Sequence, residues 1–157
     1  MTADRIERDV LIDAPVERVW ELLTEAEHVG RWFGDAGAEI DLRPGGEILF
    51  RWSEHGDARG RVEVVERPHR FAYTWAPFGP RGAGIEPEAP APGNSTLVEF
   101  TLAAEGGSTR LSVVESGFAA LDGDAETVAG HLAGNTRGWP LELADLVAYA
   151  AGTPASR

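Results

Sequence analysis

The chain has 157 residues, 43% of them apolar and 25% charged, which is the size and composition of one globular domain. Fourteen basic residues stand against twenty-six acidic ones, and the net charge of -12 argues against nucleic acid or an anionic membrane as a partner. Cysteine is absent and every basic residue is arginine, which excludes disulfides, thiolate metal sites and lysine Schiff bases.

The first residues contain neither an apolar signal core nor an arginine-rich amphipathic presequence. No apolar run approaches the ~20 residues that a membrane-spanning helix needs. The sequence therefore predicts a cytoplasmic protein.

The chain opens with the patterns of one strand and two short helices. Residues 5–13 alternate between apolar and charged side chains, as in a strand with one buried face. Pro15 suits the first position of a helix, and apolar residues then recur at helical spacing from Val16 to Leu23. Thr24 and Glu27 have the spacing of a capping box, which predicts a second helix that ends before Gly34.

Residues 36–118 carry six alternating segments separated by turns, which predicts an antiparallel meander. One of these segments places Phe71, Tyr73 and Trp75 on a single face. Residues 77–94 are rich in proline, glycine and alanine and have no period, so we interpret them as a long loop. Such a loop is either an insertion without a role or a lid beside a binding site.

A helical period returns at about residue 122 and continues to about residue 151, with Pro140 expected to kink or divide the helix near Gly138. The predicted fold class is α+β, in the order β-α-α-β(6)-α. The helices lie on one side of a curved antiparallel sheet. We predict a single domain over residues 1–157, with its core at about 5–150.

Glu115 places a carboxyl group at a strand position where the alternation predicts an apolar side chain. Strand alternation places it on the same face as Thr109, Leu111 and Val113. A carboxylate there must lie near the open end of the sheet, have a partner or have a raised pKa. His131 and Asn135, one turn apart on the last helix, are the candidate partners. The alternative is that a bulge near Gly117 turns Glu115 outward.

Common catalytic signatures are missing. The four histidines include no pair at i, i+4 spacing, and the segment around Ser116 lacks a nucleophile elbow. From motifs we therefore predict no catalytic residue, no metal site and no cofactor.

Five segments, in this order, resemble the SRPBCC superfamily and, within it, the family similar to the C-terminal domain of the activator of the heat-shock-protein-90 ATPase. They are residues 12–20, 31–33, 43–46, 115–118 and 138–141. The resemblance implies a helix-grip fold. In this fold a bent sheet wraps around a long C-terminal helix, and a hydrophobic cavity is enclosed between the sheet and the helix. Superfamily members include lipid carriers, plant hormone receptors and polyketide cyclases or aromatases.

The leading hypothesis is a binding domain for an apolar, aromatic or lipid-like small molecule, because aromatic-lined concavities with few polar groups are typical ligand sites. For any single aromatic residue, a place in the core is the simpler interpretation. The predicted ligand-binding residues are Trp32, Phe33, Phe50, Trp52, Tyr73, Trp75, Phe100, Val113, Glu115, His131 and Asn135.

Two other functions stay open. The first is a cyclase or aromatase in which Glu115 acts as general acid or base. The second is a protein-interaction module that contacts a chaperone through its acidic surface or the 77–94 loop. A homodimer through an exposed sheet edge or the last helix is also compatible with the sequence.

Overall fold

The computed structural model describes residues 4–54, 56–78 and 84–152. Strand β1 (Arg5–Ile12) is followed by helices α1 (Val16–Thr24) and α2 (Ala26–Trp32), and the chain ends in helix α3 (Ala125–Gly152). The six strands between them are β2 (Ala38–Ile40), β3 (Glu47–Trp52), β4 (Gly56–Glu66), β5 (Arg70–Trp75), β6 (Thr96–Glu105) and β7 (Ser108–Ser116). A short 3-10 turn spans Phe118–Ala120.

All seven strands form one antiparallel sheet in the order β1-β7-β6-β5-β4-β3-β2. The first strand pairs with the last, which places Ile6 opposite Glu115. The α+β class, the element order and the long C-terminal helix are confirmed. Within the described ranges no helix combines the length and apolarity needed to cross a membrane.

The core lies between the inner face of the sheet and the helices. Alternate residues of β5 to β7 point inward and are buried, and Trp139, Leu143 and Leu146 of α3 pack against them. Burying this apolar face is the main stabilising contribution to the fold. The inner face therefore determines which side chains meet at the centre of the molecule.

A close approach of two glycines fixes the end of α2. A Cβ atom on Gly30 would lie 2.7 Å from the backbone of Gly37, nearer than side-chain atoms can come. Glycine at position 30 lets α2 rest directly on the chain that leads into β2. This contact holds the C-terminal end of α2, with Phe33 just beyond it, over the sheet.

One local prediction, the capping box, is wrong, and another, the division of the last helix, is not found. Thr24 is the last residue of α1, and its hydroxyl donates to the carbonyl of Trp20 at 2.8 Å, so it does not cap α2. Glu25 precedes α2 without a side-chain cap. Helix α3 continues through Pro140 and is not divided near Gly138, because buried residues on both sides of the proline keep it on the sheet.

The proline-rich insert runs along the outside of the sheet where it is described. Residues 84–87 lie beside Leu49 and Arg59, and residues 90–95 lie beside Thr74 and Leu97. These strand residues alternate with inward-pointing ones and belong to the outer face. The insert is therefore on the opposite side from the core at residues 84–87 and 90–93, whereas Phe78 at its start packs against the core. Positions 79–83 fall outside the described residues.

Candidate functional site

The aromatic residues of the inner face, of α2 and of α3 converge in one group, which we call the aromatic cluster. Its members are Phe33, Phe50, Trp52, Tyr73, Trp75, Phe100 and Trp139. The ring of Phe33 is central. Its centroid lies 5.0 Å from that of Phe50, 5.3 Å from that of Trp52 and 5.6 Å from that of Trp139, on which it stacks.

The rings leave little empty space. The cavity enclosed by Phe33, Tyr73 and neighbouring apolar residues has a volume of about 10 Å³, which is about the room of a single water molecule. The structure therefore does not contain, at the size of a small-molecule ligand, the internal hydrophobic cavity expected from the sequence. The physical reason is that Phe33 and Trp139 project from the helices into the concave side of the sheet and fill it.

Glu115 lies on the inner face and is fully buried, at 0% exposure. Its Oε2 accepts hydrogen bonds from the indole of Trp75 at 2.9 Å and the hydroxyl of Thr96 at 2.6 Å. Its Oε1 accepts one from the indole of Trp139 at 2.8 Å. The side-chain amide of Asn135 lies 3.0 and 3.1 Å from the two oxygens and donates to the carboxylate.

All four donors to Glu115 are neutral. A carboxylate removed from water without a cation loses solvation, and several good hydrogen bonds are what compensates for that loss. The bonds also join β5, β6, β7 and α3 at one point. They hold the indoles of Trp75 and Trp139 in fixed orientations within the aromatic cluster.

Of the two predicted partners of Glu115, the structure brings only Asn135 to it. His131 packs instead against Phe78, with ring centroids 4.8 Å apart. Phe78 in turn contacts Phe118. His131 thus lies over the loop that leaves β5 and not at the carboxylate.

Of the remaining predicted residues, Trp32, Phe100 and Val113 are buried, and Trp52 is half-buried. Val113 and Phe100 face each other across β7 and β6. The indole of Trp32 donates to the carbonyl of Leu22 at 2.7 Å, and that of Trp52 donates to the carbonyl of Phe33 at 2.7 Å. These two bonds fix the rings to the end of α1 and to the residue that follows α2.

Tyr73 is a neutral phenol. Burial raises its pKa well above the ordinary value of 10.0, and the charges of Glu115 and then Glu142 raise it further. The hydroxyl therefore keeps its proton at any physiological pH and can donate a hydrogen bond.

Sequence reasoning missed three polar or aromatic contributors: Thr96, Trp139 and Glu142. Asn135, Trp139 and Glu142 are spaced i, i+4, i+7 and share one face of α3, a pattern that could have placed all three inside. Burial is the main cause that raises the pKa of Glu142 from 4.5 to about 8, with smaller effects from the charges of Asp145 and Asp35.

No group of three or more metal-ligating side chains comes together within the part of the chain that the structure describes. The candidate site consists of aromatic rings, the Glu115 carboxylate, whose two oxygens both accept hydrogen bonds, and the nearby carboxyl group of Glu142 on α3.

Comparisons with known proteins agree with this architecture. A protein from Streptomyces halstedii, named "Putative polyketide cyclase", is 38% identical over 61 residues, which are 38% of this chain and 56% of that protein. DynU16, from the dynemicin biosynthetic locus, superimposes with a TM-score of 0.72 at 23% identity over 99% of this chain. The chain spans only about half of DynU16, 51% of its length.

An HSP90 activator from Plasmodium falciparum has the same fold at greater distance. Its TM-score is 0.56 at 16% identity, and the match covers 78% of this chain and 76% of that one. The model of the family "Activator of Hsp90 ATPase homolog 1-like protein" matches residues 13–151. The chain therefore belongs to the family of Activator of Hsp90 ATPase homolog 1-like proteins.

Proposed function

We propose that this chain binds an apolar, aromatic small molecule between its sheet and α3. The observation that carries the proposal is the buried Glu115 carboxylate, held by four neutral donors among aromatic rings. Apolar residues of similar size commonly stabilise a core as well as a buried charge does. The Glu115 carboxylate holds the indoles of Trp75 and Trp139 in fixed orientations. This supports a binding site in which the orientation of the rings is important for the ligand.

Binding requires a rearrangement, because the present cavity holds no more than a water molecule. Phe33 is the side chain best placed to move. It follows the last residue of α2 and belongs to no sheet strand, so its ring can swing out without disturbing strand pairing. The space it leaves is bounded by Phe50, Trp52, Trp75 and Trp139.

The test is thermal unfolding with two small bicyclic probes, tetralin and its ketone α-tetralone. A ligand at 100 times its Kd adds about 2.7 kcal/mol to the stability of the folded state. For a domain of this size that is a rise of roughly 5–10 °C in Tm. We expect such a rise for the wild type, and tighter binding in Phe33→Ala, whose cavity is already open.

Ile85→Ala is the matched control, because Ile85 is an exposed apolar residue on the outer side of the sheet. It should bind both probes as the wild type does. If Phe33→Ala is too unstable to purify, Phe33→Leu opens less space and serves the same purpose. Absence of any stabilisation in the wild type and in both Phe33 variants contradicts the proposal.

A cyclase-like reaction is the second candidate. It is favoured by the local similarity to the Streptomyces halstedii protein and by two carboxyl groups, Glu115 bonded to Trp75 and Trp139, and Glu142 on the same face of α3 as Trp139. Such an activity would appear as loss of water from a linear polyketone, measured by mass spectrometry. Probe binding without any such product would leave the chain a binding domain only.

A further inference from the structure

Glu142 is a half-buried carboxyl group of α3 that takes no part in the bonds to Glu115. It follows Trp139 by three residues, so the two side chains lie on the same face of α3. Its charge acts on the hydroxyl of Tyr73, which lines the small interior cavity. Glu142 is half-buried, which places it at the boundary between the helix surface and the interior.

One of its oxygens, Oε2, is buried and has no hydrogen-bond partner among the described residues. Glu115 differs completely in this respect, because both of its oxygens are engaged by protein donors. A buried polar atom without a protein partner is costly and is uncommon in folded proteins. Of the two carboxyl groups, only Glu142 has an oxygen left for a ligand.

The surroundings of Glu142 favour its protonated form. The charged groups that act on it are Asp145 on α3 and Asp35 in the turn after α2, and both are acidic. No arginine forms an ion pair with it in the described ranges of the chain. Like charges and burial together make a neutral carboxylic acid the stable species, and that species can donate a hydrogen bond.

We propose that Glu142 is a specificity-determining residue, a neutral acid that donates a hydrogen bond to a carbonyl oxygen of the bound aromatic molecule. This inference rests on the proposed binding function and narrows its ligand class to aromatic or polycyclic ketones. An anionic ligand is disfavoured, because Asp35, Asp145 and Glu115 would all repel it. A hydrocarbon would leave the buried carboxyl unpaired.

The experiment compares two probes that differ only in a carbonyl group, α-tetralone and tetralin, by isothermal titration. The wild type should bind α-tetralone about ten-fold more tightly, the usual effect of one net hydrogen bond. Glu142→Gln should keep the preference, because its amide also donates. Glu142→Leu should bind both probes with equal affinity.

A pH series on the wild type gives the same test without a mutation. The preference should persist at neutral pH and disappear as the pH rises through about 8, where the acid loses its proton. Glu142→Gln should keep it over the whole range, and the exposed Glu105→Gln should behave as the wild type. A wild-type preference that survives above that pH, or one that survives in Glu142→Leu, overturns the inference.

Two results distinguish a failure of the role of Glu142 from a failure of the proposed binding function. Equal binding of both probes by the wild type overturns the role of Glu142 and leaves the binding function intact. Binding of neither probe by the wild type or by the Phe33 variants overturns both.

Discussion

Glutamine in place of Glu115 should lower the free energy of unfolding by about 3–5 kcal/mol. Glutamine has one acceptor oxygen where the carboxylate has two, and its amide group would point a donor at other donors. The indoles of Trp75 and Trp139 and the hydroxyl of Thr96 cannot all find a partner in that variant. Each buried donor left unpaired contributes its own desolvation penalty, about 1–3 kcal/mol.

Urea denaturation followed by far-UV circular dichroism measures this loss, and near-UV circular dichroism reports the freed indoles. Glu105→Gln makes the same chemical change on the same sheet, in an exposed pair with Arg110. That control should change stability by less than about 1 kcal/mol. Equal stability of the two variants would show that the bonds to Glu115 contribute nothing to the fold.

The second large effect is a dependence of stability on pH that comes from Glu142. Its pKa is about 8 in the folded protein and near 4.5 when the chain is unfolded. The folded state therefore holds this proton more tightly than the unfolded state. The contribution of Glu142 to stability is complete below pH 4.5 and is lost as the pH rises to about 8.

Glu142→Gln removes this titration, so the variant should gain stability relative to the wild type as the pH increases. Over the full interval the difference amounts to a few kcal/mol, since each pKa unit corresponds to about 1.4 kcal/mol. Chemical denaturation at about pH 5 and about pH 9 measures it.

Asp145→Asn provides an independent check of that pH dependence. It removes one of the neighbouring negative charges and should shift the dependence to lower pH. A difference between Glu142→Gln and the wild type that does not change with pH would refute the assignment.

The sequence predicted the sheet and the helices well, because both depend on local periodicity. Alternation along β5 to β7 was enough to place Phe71, Tyr73 and Trp75 on the inner face with Glu115. The role of Thr24 was predicted wrongly, because its hydroxyl bonds to the Trp20 carbonyl of its own helix and does not cap the next one. The sequence pattern alone is compatible with both bonds.

The site was harder to predict than the fold, since its contents depend on distances between elements. Nothing in the spacing of residues reveals that the ring of Phe33 occupies the centre of the concave face. The choice of Asn135 over His131 as the partner of Glu115 likewise depends on the rotation of α3 about its axis. Periodicity indicates which face of a helix carries a residue. It does not indicate which of two residues one turn apart on that face, such as His131 and Asn135, reaches a given side chain of the sheet.

The bonds to Glu115 have a consequence for how the chain reaches its native state. The carboxylate is carried by β7, while Asn135 and Trp139 lie on the final helix, 20 and 24 residues later. A sheet assembled without α3 would expose its apolar face to water and leave this charge with Thr96 and Trp75 as its protein donors. The sheet and the helix are thus coupled into one cooperative folding unit, whose last contacts form only after the C-terminal segment has been synthesised.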